Sequence, residues 1–116
     1  MPDQKDIGQL SVDIFQRDNE IVIIAPVAGA TTKDVNIAVT DEVLVISGER
    51  RQEHIVDEKS YLTKECYFGP FERSIVLPKN ADSKKIQASF KNNILEIRIP
   101  KTHEEKTKVV KINVDT

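Results

Sequence analysis

β-Branched side chains dominate the apolar part of this 116-residue chain. Isoleucine and valine together number 26, whereas leucine occurs only 5 times. Branching at Cβ restricts χ1 in a helix and suits the pleated surface of a sheet. Apolar residues also recur at every second position, as at Val35, Ile37 and Val39, which is the period of a strand. The sequence therefore predicts an all-β protein.

The strand patterns occur in pairs along the chain. Glu20–Val27 is almost continuously apolar, as in a central strand covered on both faces. Asp41-Glu42 and Asn92-Asn93 have the character of two-residue turns between strands. About seven short strands in hairpins predict an immunoglobulin-like antiparallel β-sandwich. The patterns lie at Leu10–Phe15, Glu20–Val27, Val35–Val39, Val43–Ile46, Phe71–Leu77, Ile86–Phe90 and Leu95–Ile99.

Length and charge restrict the domain count and the classes of partner. A chain of this size fits one domain. The 17 Lys and Arg residues nearly balance the 19 Asp and Glu residues, which argues against a nucleic acid or an anionic membrane as partner. The single cysteine, Cys66, excludes an intrachain disulfide, and the first ten residues lack the apolar run of a signal peptide. We therefore expect a cytoplasmic protein.

The chain divides into three parts. Residues 1–9 form a short N-terminal segment, residues 10–100 the sandwich domain, and residues 101–116 a flexible C-terminal extension that begins with a charged run. Within the extension, Val110, Ile112 and Val114 share one side of an extended peptide. The pattern leaves two readings open: a further strand of the same sandwich, or a linear motif that docks on a sheet edge by β-augmentation.

Two internal features fit a simple sandwich poorly. Residues 52–62 are polar around a small apolar centre, Ile55-Val56, and are predicted to project from the domain as a loop. Arg73 shares a strand face with Phe71 and Ile75, so it falls where a buried residue is expected. A buried guanidinium requires partners, unless the side chain reaches solvent at a sheet edge.

The sequence offers no catalytic, cofactor-binding or metal-binding constellation. His54 and His103 lie in polar segments without the ligand spacing of a metal site. A chain with 4 glycines shows no glycine-rich phosphate loop. We interpret Cys66, near a predicted strand start, as a packing residue rather than a redox switch. The chain is therefore not expected to be an enzyme or to need a cofactor.

Four blocks of sequence resemble the alpha-crystallin domain of the small heat-shock proteins. Ala88–Leu95 resembles the family's A-x-x-x-n-G-V-L signature, with Asn93 where glycine is usual, and Glu96–Lys101 resembles the I-x-I/V-P-K ending that follows it. Val43–Glu49 and Gly69–Pro78 resemble two further blocks. Ile112-Asn113-Val114 looks like the C-terminal I-x-I/V motif. The resemblance covers almost the whole chain.

The resemblance implies a groove between two edge strands, which the tail of a neighbouring chain fills. The residues that correspond to its lining are Val35, Ile37, Val39, Ile86, Ala88 and Phe90, although alternation does not distinguish groove from core. The resemblance also implies a dimer, in which the loop strand at Ile55 and Val56 crosses to the partner's first strand, at Val12 and Ile14. A disordered loop is the alternative. Arg73 would lie in this interface and meet a carboxylate of either chain.

The implied function is that of an ATP-independent chaperone, a holdase, whose partners are further copies of itself and unfolded client proteins. Such a protein needs exchangeable apolar edges on a charged, soluble surface rather than a catalytic group. Two other functions remain open. One is a co-chaperone of the CS-domain type that binds a large ATP-driven chaperone, and the other is an immunoglobulin-like binding module.

Overall fold

A computed structural model describes residues 7–102 and 110–113 of the chain. It contains eight strands arranged as two four-stranded sheets. In chain order these are β1 (Gly8–Gln9), β2 (Asp13–Arg17), β3 (Glu20–Pro26), β4 (Val35–Thr40), β5 (Val43–Arg50), β6 (Gly69–Val76), β7 (Gln87–Lys91) and β8 (Ile94–Pro100). Three single turns of 3₁₀ helix lie at Thr32–Asp34, Glu58–Ser60 and Ser83–Lys85.

The sheets have the orders β1-β6-β5-β4 and β2-β3-β8-β7. Every pairing is antiparallel except that of β1 with β6. The predicted all-β sandwich is thus confirmed, with β3 in the interior of its sheet, as its continuous apolar sequence indicates. The division of the chain at residues 9 and 100 stays a prediction.

The core lies between the inner faces of the two sheets. β8 contributes Leu95, Ile97 and Ile99, which face Ala25, Ile23 and Ile21 of β3 across the ladder. Leu44 and Ile46 of β5 and Phe71 and Ile75 of β6 close the core from the other sheet. Burial of these branched side chains contributes on the order of 1.5–3 kcal/mol each before conformational entropy is subtracted. This packing holds the edge strands in place.

The first strand differs from the prediction. It begins at Asp13 rather than Leu10, and it is preceded by the two-residue strand β1. Leu10 lies between the two, where its side chain is 1% exposed and belongs to the core cluster. Its backbone N–H donates to the carbonyl of Glu72, so the chain passes from one sheet to the other at this residue. The sequence places Leu10 in the strand because Leu10, Val12 and Ile14 occupy alternate positions. A buried residue that links two sheets can produce the same alternation.

Candidate functional site: an apolar groove between two sheet edges

Each sheet has two strands with only one neighbour, and the connections decide which of these edges lie together. Residues 10–12 are all that separates β1 from β2, and the step from Gln9 to Asp13 spans at most about 14 Å. Packed sheets are about 10 Å apart, so β1 and β2 must lie on the same side of the sandwich. The strands at the other ends of the two orders, β4 and β7, therefore share the opposite side.

β4 presents its apolar side chains toward the inside of the sandwich. Ile37 lies opposite Ile46 and Val39 lies opposite Leu44 in the ladder with β5, and residues that face each other in a ladder point to the same side. Leu44 and Ile46 are completely buried. Val35, Ile37 and Val39 pack against the same core but are only half-buried, because no strand continues the sheet beyond β4.

β7 does the same from the other sheet. Ala88 lies opposite Ile97 and Phe90 lies opposite Leu95, both of which are core residues. Phe90 and Ile86 are half-buried against the core, whereas Ala88 is exposed. The six residues expected to line a groove thus all face inward at two neighbouring open edges. Five of them pack against the core and Ala88 does not, and the role of all six as the lining of a binding groove stays a prediction.

The tail segment is separate from both sheets. Val110 and Ile112 are 72% and 84% exposed, and residues 110–113 form no strand. Val114 lies outside the described residues. The reading of the tail as a further strand of the same sandwich is therefore wrong for its described part. The exposed apolar side chains of Val110 and Ile112 therefore remain available for another surface.

The predicted loop is present and is longer than expected. It fills the whole interval from Arg51 to Phe68 between β5 and β6, and every residue from 51 to 60 is exposed. Ile55 is fully exposed and Val56 is exposed. Leu62, which we did not single out, is also fully exposed. A large apolar residue within a polar loop was the signal that could have found it.

The loop has some internal structure despite its exposure. Lys64 Nζ lies 2.6 Å from Glu58 Oε1, and its ammonium group lies 4.9 Å from the centre of the Tyr61 ring. The hydrogen bond to Glu58 raises the pKa of Lys64 above its usual value. Cys66 is exposed in this same loop, so its interpretation as a packing residue is wrong. The error arises because β6 begins three residues later, at Gly69, and Cys66 lies ahead of the sheet.

The expected receiver of the loop strand lies at the other side of the sandwich. β2 pairs with β3 alone, so its second edge is open. Val12, just before β2, is half-buried against the core, and Ile14 is exposed. Ile55 and Val56 do not form a strand in the single chain. The pairing of this loop with a partner subunit stays a prediction.

Arg73 lies on the inner side of β6, opposite Ile46, but it is only half-buried. Its Nη1 donates a hydrogen bond of 3.3 Å to the carbonyl of Leu10. No carboxylate forms an ion pair with it within residues 7–102 and 110–113. Its partner within the described residues is a backbone oxygen, because the chain crosses between the sheets beside Arg73 and presents a carbonyl there. The contact of Arg73 with a carboxylate of either chain in a dimer stays a prediction.

Within the described ranges, no three His, Cys, Asp or Glu side chains approach one another closely enough to hold a metal ion. None of the helical turns found there is long enough to cross a membrane. His103 falls outside the described residues. The groove between β4 and β7 and the exposed loop are thus the features that invite a functional explanation.

Known proteins share both the sequence and the architecture. The family model of Hsp20/alpha crystallin matches residues 13–115. Small heat shock protein C4 of Rickettsia felis is 35% identical over 101 residues, which cover 87% of this chain and 62% of that relative. This chain therefore spans less than two thirds of that relative's length.

Two solved structures have the same fold. The hspA protein of Xanthomonas axonopodis matches with a TM-score of 0.73 and 33% identity, over 80% of this chain and 93% of that one. A small heat-shock protein from Xylella fastidiosa, described as having a distinct high order structure, matches with a TM-score of 0.74 and 28% identity, over 90% and 96%. The family model covers most of the chain, and the chain belongs to the Hsp20/alpha crystallin family of small heat-shock proteins.

Proposed function

We propose that the protein is an ATP-independent chaperone of the cytoplasm that binds non-native proteins and prevents their aggregation. The observation that carries this proposal is the pair of open edges, β4 and β7, whose inward-facing apolar side chains are mostly half-buried and would line a groove between them. An extended client segment can pair its backbone with such an edge and place alternate side chains in the groove. This mode of binding needs neither a nucleotide nor a catalytic residue.

The tail fits the same groove as an internal ligand. Ile112 and Val114 are separated by one residue, so both side chains of an extended tail fall on one side. Burying two such side chains is worth about 3–5 kcal/mol before ordering costs are subtracted. A contact of this strength is weak alone and becomes effective when several chains are linked. In this proposal the tail of one copy occupies the groove of another and a client segment displaces it.

A thermally aggregating enzyme provides the test of chaperone activity. Light scattering of the heated enzyme should fall in proportion to the amount of this protein added, with no ATP present. An unrelated protein of similar mass is the control. A CS-domain co-chaperone or an immunoglobulin-like binding module would leave the scattering unchanged, and that result would overturn the proposal.

A tail variant tests the internal ligand. Changing both Ile112 and Val114 to serine should reduce assembly beyond the dimer, measured by light scattering coupled to size exclusion, while the sandwich stays folded by circular dichroism. Asn113→Ser is the matched control, because this residue lies between the two anchors and its side chain points to the other side of an extended tail. Unchanged assembly of the double variant would show that the tail does not link the chains.

A further inference from the structure

The free edge of β4 is the least protected edge of this sandwich. Its six residues, Val35–Thr40, carry no charge and no proline. The other edges that are longer than two residues contain charged side chains, with Asp13 and Arg17 on β2 and Lys91 on β7. Natural proteins protect edges with charges, prolines or bulges, because unpaired backbone groups attract another strand. An uncharged edge strand of this length therefore indicates a strand that pairs.

The side chains of β4 are symmetric about its centre. Val35 and Val39 lie two residues before and two residues after Ile37, and all three face inward and are half-buried. If two copies of β4 pair antiparallel about Ile37, each Val35 lies opposite Val39 of the second copy. The two inner faces then become continuous, since the two-fold axis of such a pair is perpendicular to the sheet. Cross-strand contacts between branched residues of this kind stabilise a sheet.

The charges that flank β4 favour the same arrangement. Lys33 precedes the strand, whereas Asp41 and Glu42 follow it. All three are exposed, and none forms an ion pair within the part of the chain that the structure describes. Lys33 lies in the helical turn just before β4 and Asp41 in the two-residue turn just after it, so antiparallel pairing about Ile37 brings these oppositely charged turns of the two copies near each other, twice by symmetry. Parallel pairing would instead place like charges together.

The remaining long edges are less suited to self-pairing. For β7, an antiparallel pair centred on Ala88 would place Lys85 opposite Lys91, so like charges would meet at both ends. For β2, Asp13 and Arg17 would meet favourably, but Arg17 already lies over the Phe15 ring, 5.1 Å from its centre. In addition, the loop strand of a partner subunit is expected to occupy the β2 edge. β4 alone combines an uncharged centre with complementary ends.

We propose that the β4 edge is a self-association surface, on which β4 of a second copy pairs antiparallel about Ile37 and joins two four-stranded sheets into one of eight. The tail and the second copy use the same edge, so each excludes the other. This competition rests on the proposed function, whereas the pairing itself does not. The chain thus has an association mode that depends on the tail being elsewhere.

Cysteine scanning provides the test. In full-length protein with Cys66 replaced by serine, Ile37→Cys should form a symmetric disulfide when copper–phenanthroline is added. Directly opposed residues have Cα atoms about 4.5–5.5 Å apart, within the range that a disulfide spans. Val35→Cys is the matched control, because its own copy would lie more than about 13 Å away along the strand. The crosslinked fraction should be at least about fivefold higher for Ile37→Cys than for Val35→Cys.

A second pair of variants tests the same pairing without changing the half-buried Ile37, in case Ile37→Cys does not fold. Asn36 and Ala38 are exposed on the outer face and would lie opposite each other across the axis. A mixture of Asn36→Cys and Ala38→Cys proteins should therefore give the mixed disulfide in excess of either symmetric one. Ala88→Cys on the β7 edge should remain monomeric on the gel. Equal crosslinking at positions 35, 37 and 88, or the absence of the mixed 36–38 product, would overturn the proposal.

The tail variant separates this proposal from the previous one. If the tail competes for the edge, Ile37→Cys should crosslink more completely when Ile112 and Val114 are serine. If the tail does not bind there, crosslinking at Ile37 should be the same with either tail. If β4 does not self-pair, the crosslink is absent with both tails. Lys33→Glu should also lower the crosslinked fraction. In 1 M salt the difference in crosslinked fraction between this variant and the protein with Lys33 should be smaller.

Discussion

Arg73 illustrates how a single charged side chain is accommodated among inward-facing apolar residues. Its guanidinium reaches the Leu10 carbonyl at the point where the chain passes from one sheet to the other. Leu10 itself is buried, so this carbonyl has limited access to water. The hydrogen bond therefore links β6 to the N-terminal crossing.

Replacing Arg73 with alanine should remove this link. A buried hydrogen bond to a charged group contributes about 1.5–3 kcal/mol, and partial exposure reduces this contribution. We therefore expect the free energy of unfolding to fall by about 1–2 kcal/mol and the melting temperature to fall by roughly 5–10 °C. Glu72→Ala, whose side chain is exposed on the same strand, is the control for thermal denaturation. A much larger loss together with loss of the dimer would show that a carboxylate of the partner subunit meets Arg73 in the assembly.

Asp34 gives the stability a defined dependence on pH. The pKa of this carboxyl is lowered from its ordinary 3.8, mainly by the hydrogen bond from the Thr31 backbone N–H, which lies 3.2 Å from Oδ2. Burial partly opposes this shift. Arg51, whose Nε lies 2.8 Å from Oδ1, lowers the pKa further. Because the folded pKa is the lower one, the stabilisation is fully present above the unfolded pKa and is lost as the pH falls through the folded value.

The variant Asp34→Asn should therefore be less stable than the original protein at pH 7. The difference between their urea midpoints should narrow as the pH falls below about 4. Asp13→Asn, on the exposed face of β2, should not show this convergence if it comes from the Asp34 contacts. A gap between the two midpoints that stays constant down to pH 3 would contradict the assignment.

At the scale of elements, three hairpins share one turn geometry. The pairs Asp18-Asn19, Asp41-Glu42 and Asn92-Asn93 all have positive φ at both residues, which is the two-residue turn that matches the twist of the flanking strands. Five of these six residues are Asp or Asn, which tolerate the left-handed region. Glu42, with φ of 67°, is the exception.

Glu42→Gly should therefore stabilise the protein. Relief of the left-handed strain outweighs the entropy that glycine loses on folding, which leaves a net gain of about 0.5–1 kcal/mol. The backbone carbonyl of residue 42, which accepts from the Leu77 N–H, is retained. Asn93→Gly should gain less, because asparagine already suits its turn. Chemical denaturation of both variants measures the difference, and an equal or larger gain at Asn93 would contradict the explanation.

These hairpins are also the part of the fold that local sequence predicts well. Alternating apolar residues and turn-forming pairs are close together in the chain, so β4–β5 and β7–β8 could be recognised from short windows. β1 could not, because a two-residue strand that pairs in parallel with Phe71 and Glu72 leaves no local pattern. The burial of Val22 on the outer face of β3, beside Phe15 and Arg98 of the neighbouring strands, was by contrast indicated by the continuous apolar run of this strand.

The candidate site was predictable in composition but not in position. Alternation identified the inward-facing residues of β4 and β7 correctly. Whether such residues line a closed core or an open edge depends on the order of strands in the sheets, which is a long-range property. The interpretation of Cys66 as a packing residue failed for the same reason, since its exposure depends on where the loop ends and β6 begins. The hydrogen bond of Arg73 to the Leu10 carbonyl was likewise not predictable, because it depends on where a distant segment passes.

At the scale of the whole molecule, the loop between β5 and β6 is the feature that a single chain explains least. It carries the fully exposed side chains of Ile55 and Leu62. Exposed apolar residues on a projecting segment mark a surface that another molecule covers. The open edge of β2, with exposed Ile14, offers a strand on which the loop of a second copy can pair.

Ile55→Ser should therefore weaken dimerisation without unfolding the sandwich. Burying an isoleucine contributes about 1.5–3 kcal/mol, and a symmetric dimer loses two of them, so the dimer dissociation constant should rise by roughly 10²–10⁴-fold. Lys59→Ser, an exposed polar position of the same loop, should leave it unchanged. Sedimentation velocity over a range of concentrations that includes about 50 μM, where contacts with micromolar dissociation constants are populated, measures the dissociation constant.

A strictly monomeric original protein at that concentration, or equal dissociation constants for both variants, would count against the loop as the dimer contact. A dimer that persists in Ile55→Ser and crosslinks through Ile37→Cys would instead assign the association to β4, since the two edges lie on opposite sides of the sandwich.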